Sequence, residues 1–310
     1  VDLDQTRGTY PRGTLFIPAR GNTNTLEELL GDLAESAGVD VDRVESGFAA
    51  SGVSLGSESM APLRLPVIGL LRGEGIQPTS FGFLWHLLDQ MLEVPFHQLD
   101  TRSLEKTDLT DFDVLVMPGG RGYDTALGDR AAERIGHWVD NGGVLIAIGE
   151  AVSWLSDNEM TTIEAWQPPP AEDLSVNQVA ELTPARRDVS TPGAALATDL
   201  APSHPLTVGL AIPPALLFQG KTILLPTGDP QRDLVVARRE QPVVAGFSWP
   251  EVEERLRGAL LVGVERRERG ALVVFAQDPV FRLFWRGTAQ PFLNALLYAA
   301  SLHEYGLLFE

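Results

Sequence analysis

Apolar residues along this chain fall into short unbroken runs, separated by stretches in which they recur every three or four positions. Val114-Leu115-Val116-Met117 and Val144-Leu145-Ile146-Ala147-Ile148 are the clearest runs. Both have strand length and no polar alternation, the pattern of strands buried on both faces of a parallel sheet. Pro66-Val67-Ile68-Gly69-Leu70-Leu71 reads as an earlier strand of the same kind, and 96–99 as a further one. Between the two clearest runs, Ala131, Ile135, Trp138 and Val139 share one helical face, closed by Asn141-Gly142-Gly143. Phe81, Leu84, Trp85, Leu88 and Met91 form a second helical stripe with Ser80 as its expected N-cap. Phe292, Leu293, Leu296 and Leu297 form a third, in a helix over 288–300. Strand and helix alternate, which predicts an α/β fold with a doubly wound, mostly parallel, flavodoxin-like sheet and right-handed crossovers.

The pattern changes at both ends of this region. Before it, 13–17 and 41–44 are expected as strands around a helix that opens at the capping box Thr25-Leu26-Glu27-Glu28 and stops at Gly38. A Ser/Gly-rich passage over 46–59 then marks a boundary, giving a small αβ segment over 1–60 and a main domain over 61–310. The small segment cannot bury a core alone and should pack on the main domain or on something upstream. After Ser156 the periodicity fades, and prolines such as Pro168-Pro169-Pro170 and Pro213-Pro214 punctuate a long loop insertion at about 157–215. Runs resume at 234–238, 243–247, 260–264 and 271–275. The last two flank Arg266-Arg267-Glu268-Arg269-Gly270, a charged hairpin turn that makes the far edge of the sheet antiparallel.

Composition narrows the function classes. With 42 Asp+Glu against 24 Lys+Arg the net charge is −18, which argues against nucleic acid or an anionic membrane surface as partner. No apolar run reaches membrane-spanning length, and no basic, apolar leader stands at Val1. Lys106 and Lys221 are the only lysines, a deficit that fits either a high-salt environment or a GC-rich genome. The chain has no cysteine, which excludes disulfides, thiolate metal sites and thiol catalysis together. His86, His97, His137, His204 and His303 show no zinc-ligand spacing, so no metal site is expected here.

Pro118-Gly119-Gly120, the helix after it, and Gly143-Val144-Leu145-Ile146-Ala147-Ile148-Gly149 resemble the core of the class I glutamine amidotransferase-like fold. In that family such a strand ends at a catalytic cysteine; here Gly149 stands at the nucleophile position. The family's histidine before a proline is matched by Asp278 before Pro279. A narrower set is similar to the C-terminal amidotransferase-like region of bacterial zinc carboxypeptidase-like proteins. It comprises Tyr10-Pro11-Arg12-Gly13-Thr14, Gly73-Glu74-Gly75-Ile76, Ser80-Phe81-Gly82, and Asp278-Pro279 with Phe281-Arg282 and Phe284-Trp285-Arg286-Gly287-Thr288. That resemblance implies an upstream peptidase domain as partner, zinc held on that domain, no cofactor in this chain, and a secreted or periplasmic parent that hydrolyses peptides.

The candidate pocket comprises Glu74, Gly119, Gly120, Arg121, Glu150, Ser153, Asp278, Arg282, Trp285 and Arg286. Gly119-Gly120-Arg121-Gly122 either presents N–H groups to an anion or is a plain strand-to-helix turn. Glu74, Glu150 and Asp278, each just beyond the carboxyl end of a strand, could converge as acid and base or could simply accept backbone N–H bonds. Ser153 is the one hydroxyl near the elbow, but it lacks a Gly-x-Ser-x-Gly setting. Arg282 and Arg286 beside Trp285 read either as a recognition surface or as partners of the three carboxylates, with Arg282 expected to hold the pocket together. The functional expectation is a non-catalytic accessory or ligand-binding domain. The alternatives are a hydrolase with a rebuilt carboxylate site and a structural or homo-oligomerisation domain.

Overall fold

A computed structural model describes residues 3–5, 8–23, 25–167, 190–201, 204–210 and 212–309. The chain divides into two compact units, Val1–Ala61 and Pro62–Glu310.

In the first unit β1 (Leu3–Gln5), β2 (Gly8–Tyr10) and β3 (Ser51–Gly52) form a small antiparallel sheet in the order β2-β1-β3, with α1 at Leu26–Ala37. Gly38 ends α1 in the left-handed conformation the sequence called for. The expected strands at 13–17 and 41–44 are coil. Pro18 follows the first run, removing a ladder donor and restricting Ile17, and aspartates interrupt the second. α1 buries none of its residues.

The second unit holds an eight-stranded sheet flanked by helices and a separate three-stranded sheet. Its strands are β4 (Ile68–Arg72), β5 (His97–Asp100), β6 (Val114–Met117) and β7 (Val144–Ile148), followed after β8 (Thr191–Leu196) by β9 (Thr198–Leu200). Beyond β10 (Leu216–Gly220) come β11 (Asp233–Ala237), β12 (Val243–Phe247), β13 (Leu260–Arg267) and β14 (Gly270–Phe275). The main sheet runs β5-β4-β6-β7-β14-β13-β11-β9, and the first five strands are parallel. Counted among those five, the order is 2-1-3-4-5, which is the flavodoxin-like winding. The remaining strands join antiparallel, so the fold is α/β, mostly parallel, with an antiparallel edge.

Two features were invisible to periodicity. Part of the supposed loop insertion is sheet: β8 sits between β10 and β12 in a separate three-stranded antiparallel sheet, and β9 forms the outer edge of the main one. Pro192, Gly193 and two alanines made β8 look like a turn, although strands on both sides complete its ladder. Residues 168–189 of that stretch lie outside those described.

The helices are α2 (Pro78–Trp85), α3 (Tyr123–Ala126), α4 (Gly128–Asp140), α5 (Glu150–Asp157), α6 (Pro250–Leu256) and α7 (Ala289–Glu304). α2 starts three residues earlier than expected, with Gln77 as N-cap and Pro78 supplying a φ already suited to the first turn. Ser80 is therefore inside the helix, fully buried, and free to point at the ends of the strands. α2 runs into a π-helical stretch at His86–Met91, which shifts the register so that Leu87 is buried while Met91 is exposed. The core lies on both faces of the sheet: β6 and β7 are buried along their whole length, and α4 covers one face with Ala131, Ile135, Trp138 and Val139.

Candidate functional site

The loops after β4, β6, β7 and β14 all leave the carboxyl ends of parallel strands, and the strand order reverses between β4 and β6. In open α/β sheets this is the crevice that receives ligands. Two of the loops are joined backbone to backbone: Gly122 N donates to Gly75 O at 3.2 Å and Gln77 N to Gly119 O at 2.9 Å. The approach is so close that a Cβ on Gly120 would stand 2.2 Å from Gly75 O. Only glycine fits there.

β7 ends at Gly149, whose φ of 59° and ψ of −125° turn the chain sharply from strand into α5. This is a strained strand-to-helix elbow of the kind that presents a nucleophile. Gly149 N is fixed by Phe275 O at 2.8 Å, so the turn is tied to the adjacent strand. The elbow is intact, but it carries no side chain. A Cβ there would come no closer than 3.9 Å to Gly119 Cα and 4.0 Å to Ala276 O, so the space for a side chain remains.

Opposite the elbow, Ser80 and Asp278 form the hub of the site. Ser80 Oγ donates to Asp278 Oδ1 at 2.5 Å and accepts from Gly119 N at 2.8 Å. The serine was read as a helix cap, and only the N-terminal proline, which moves the helix start, could have exposed its role. Asp278 is half-buried. Burial raises its pKa above the ordinary carboxylate range and the negative charge of Glu150 adds to the rise, while the Ser80 hydrogen bond opposes both. Glu150 is partly exposed, with Arg121 Nε 3.5 Å from its Oε1. Below it Tyr123, buried and donating to Pro118 O at 2.6 Å, has its hydroxyl pKa pushed well up by burial and then by Glu150.

The structure thus brings Gly119, Gly120, Arg121, Glu150 and Asp278 together and adds Ser80 and Tyr123. It does not add Glu74. That side chain is exposed, and its field acts on Arg102, which also binds Asp100 and holds the Asp100 carboxyl down at about 2. Ser153 is half-buried on α5 and its side chain makes no hydrogen bond among the described residues.

The expected Arg282 network is absent. Arg282 is exposed, lies over the Phe281 ring at 5.3 Å and makes no ion pair among the described residues. The reason is the backbone. Arg282 and Leu283 have φ of 48° and 64°, so the chain turns left-handed immediately after Phe281 and carries the guanidinium away from Asp278. Arg286 donates to Leu283 O at 2.7 Å, and the buried Trp285 indole N–H has no partner among the described residues.

Chemically, the site offers a carboxyl whose pKa is raised by burial beside a second carboxyl group, with no nucleophile between them. Ser80 cannot supply one, because it is buried and both its donor and its acceptor function are taken. The N–H groups of Gly119 and Gly122 are likewise engaged, by Ser80 and Gly75, so the glycine loop does not hold them out to an oxyanion. Among the described residues no three His, Asp or Glu side chains are placed to hold a metal ion.

No protein-family model matches the chain, and no curated protein matches it. Solved structures do. A cytoplasmic protein of Salmonella typhimurium is 13% identical, aligning over 76% of this chain and 99% of its own with a TM-score of 0.45. PurLQS of Thermotoga maritima is 12% identical over 76% and 99%, with a TM-score of 0.45. A ThuA-like protein of Parabacteroides merdae is 12% identical over 76% and 90%, with a TM-score of 0.47. At these scores the likenesses carry none of their chemistry to this chain.

Proposed function

We propose that this chain is a catalytically vacant amidotransferase-like module that serves a zinc carboxypeptidase-like protein as an accessory or ligand-binding domain. One observation carries the vacancy: the elbow at Gly149 keeps the backbone angles and the room of a nucleophile position but has no side chain. The residue at the usual histidine position points the same way. Asp278 is bound to a buried serine and so acts as a structural link between α2 and the loop after β14. The peptidase parent is supported by the blocks at 10–14, 73–76, 80–82 and 278–288 quoted above. Its zinc would belong to the upstream domain, since among the described residues no three His, Asp or Glu side chains are placed to hold the ion. A secreted or periplasmic site of action follows from the same resemblance.

The test is to express the complete reading frame beside residues 1–310 alone and assay both for release of C-terminal residues from peptides. The expected result is zinc-dependent, chelator-sensitive activity in the complete protein and none in the isolated chain. A reading frame without a peptidase domain, or peptide hydrolysis by the isolated chain, would overturn the proposal. A second reading, a hydrolase working through Glu150 and Asp278, is favoured by the raised Asp278 pKa. It requires loss of a measurable hydrolysis on Asp278→Asn.

A further inference from the structure

A broad cleft of the second unit lies at the opposite end of the sheet, where β6, β7 and β14 begin. With strands of five residues the two sites are separated by roughly 16 Å along the strands. This cleft has a volume of about 960 Å³ and is walled by the residues that precede β6 and β7, the β13–β14 turn and the end of α7. Its lining is unusual for so acidic a chain: four arginines, Arg64, Arg134, Arg266 and Arg269, and two histidines, His137 and His303, face one space.

The acids in the same lining are Asp108, Asp113, Glu268 and Glu304. Most of them are occupied. Asp113 holds Arg64 with two hydrogen bonds of 2.6 and 2.7 Å and also accepts from Val67 N, and Glu304 reaches the same Arg64 at 3.8 Å. Asp108 caps the turn at Thr110, accepting from its N–H and its hydroxyl. Three arginines are left without an ion pair among the described residues. Arg266 lies over the Phe309 ring at 4.9 Å, which holds its guanidinium flat. Arg269 donates to Asn141 Oδ1, and Arg134 donates to Thr107 O. Glu268, at the tip of the turn, is the one carboxylate of the lining without a partner among the described residues.

One nitrogen strengthens the case. Arg134 Nε is shut off from solvent and has no hydrogen-bond partner among the described residues. His303 donates from Nε2 to Arg269 O, which leaves its Nδ1 an acceptor in the neutral ring. A buried N–H without an acceptor is costly, and in folded proteins such groups are nearly always satisfied by a ligand or by ordered water. Elsewhere in this chain arginines such as Arg102, Arg232 and Arg267 do find carboxylates. Arg134 also acts through its charge on Asp108, but Arg266 and Arg269, held by a ring and an amide without an ion pair among the described residues, are suited to grip an oxyanion.

We infer that this cleft is a binding site for a small organic oxyanion, carboxylate or phosphate, gripped by Arg266 and Arg269 and reaching towards Arg134. A volume near the upper end of the usual range for small-molecule sites leaves room for the body of such a ligand. The site is independent of the vacant elbow and does not rest on the function proposed above.

Calorimetric titration of the whole chain at low salt with pyrophosphate and, separately, with citrate tests this. Saturable binding of either anion is expected, with a Kd of about 1 mM or tighter, and the anion that binds identifies the chemistry. The Arg266→Gln/Arg269→Gln double variant should weaken binding at least about tenfold while melting at the wild-type temperature, because both side chains are exposed. Arg238→Gln, at a surface pair with Asp199, should change nothing. No saturable binding of either anion, binding that survives the double variant, or equal loss in Arg238→Gln would overturn the inference.

Discussion

Two glycines and one aspartate define how the site at the strand ends should respond to substitution. At Gly149 a methyl group meets only ordinary contacts, so the cost of Gly149→Ala is the backbone conformation that L side chains rarely adopt, about 1–3 kcal/mol. At Gly120 the same methyl would stand 2.2 Å from a backbone oxygen, so Gly120→Ala should cost about 3 kcal/mol or more. Urea unfolding of the two variants checks this ordering; equal losses would mean that the loops after β4 and β6 are not joined as described. Asp278 gives a pH signature. An unfolded aspartate titrates near about 3.9, and the folded carboxyl titrates above it, so the native state holds the proton more tightly. Its stabilising contribution is therefore present at low pH and lost as the pH rises through the folded value. Asp278→Asn, which keeps an oxygen for Ser80, should gain stability over wild type at pH 7, and the gain should vanish below about pH 4. A variant less stable than wild type at pH 7 would show that the Ser80 bond outweighs burial.

The elements legible in the sequence were those with strong periodicity or an unbroken apolar run. β6, β7 and the buried face of α4 emerged as read, because complete burial on a parallel sheet leaves no polar position to confuse the pattern. β8 and β10 were missed because their residues take their stability from each other and from β12, a long-range pairing that local composition does not encode. The site was half legible for a similar reason. Gly119, Gly120, Glu150 and Asp278 follow strands, so topology alone gathers them, whereas Ser80 reaches Asp278 across 198 positions of chain through a helix whose start Pro78 sets. The Arg282 expectation failed because two successive left-handed residues redirect the chain, and nothing in Phe281-Arg282-Leu283 announces that turn. The junction of α4 with the β13–β14 hairpin gives a test of how tightly the elements close. A Cβ on Gly270 would stand 1.9 Å from Val139 O, so Gly270→Ala should cost about 3 kcal/mol or more in thermal or urea unfolding. A loss under about 1 kcal/mol would contradict that packing.

For the molecule as a whole, the division of apolar burial is lopsided. Among the described residues, every buried apolar side chain other than Ala49 belongs to 62–310. That unit should therefore fold without residues 1–61, with a far-ultraviolet spectrum of mixed helix and sheet and a single cooperative melt. A non-cooperative melt of the truncated chain would show that the first unit completes the core. The proposed function stands on a different feature, a strand-to-helix elbow whose turn residue, Gly149, has no side chain. Fold alone does not settle activity, because the same sheet can carry an active or an empty site. The decisive measurement is ammonia release from glutamine by purified wild-type protein near neutral pH, compared with buffer and with the Gly149→Ala variant. The account predicts no release above buffer for either protein, since no thiolate can form and Ser80 is sealed inside the fold. Catalytic release by the wild type that disappears in Gly149→Ala would contradict it.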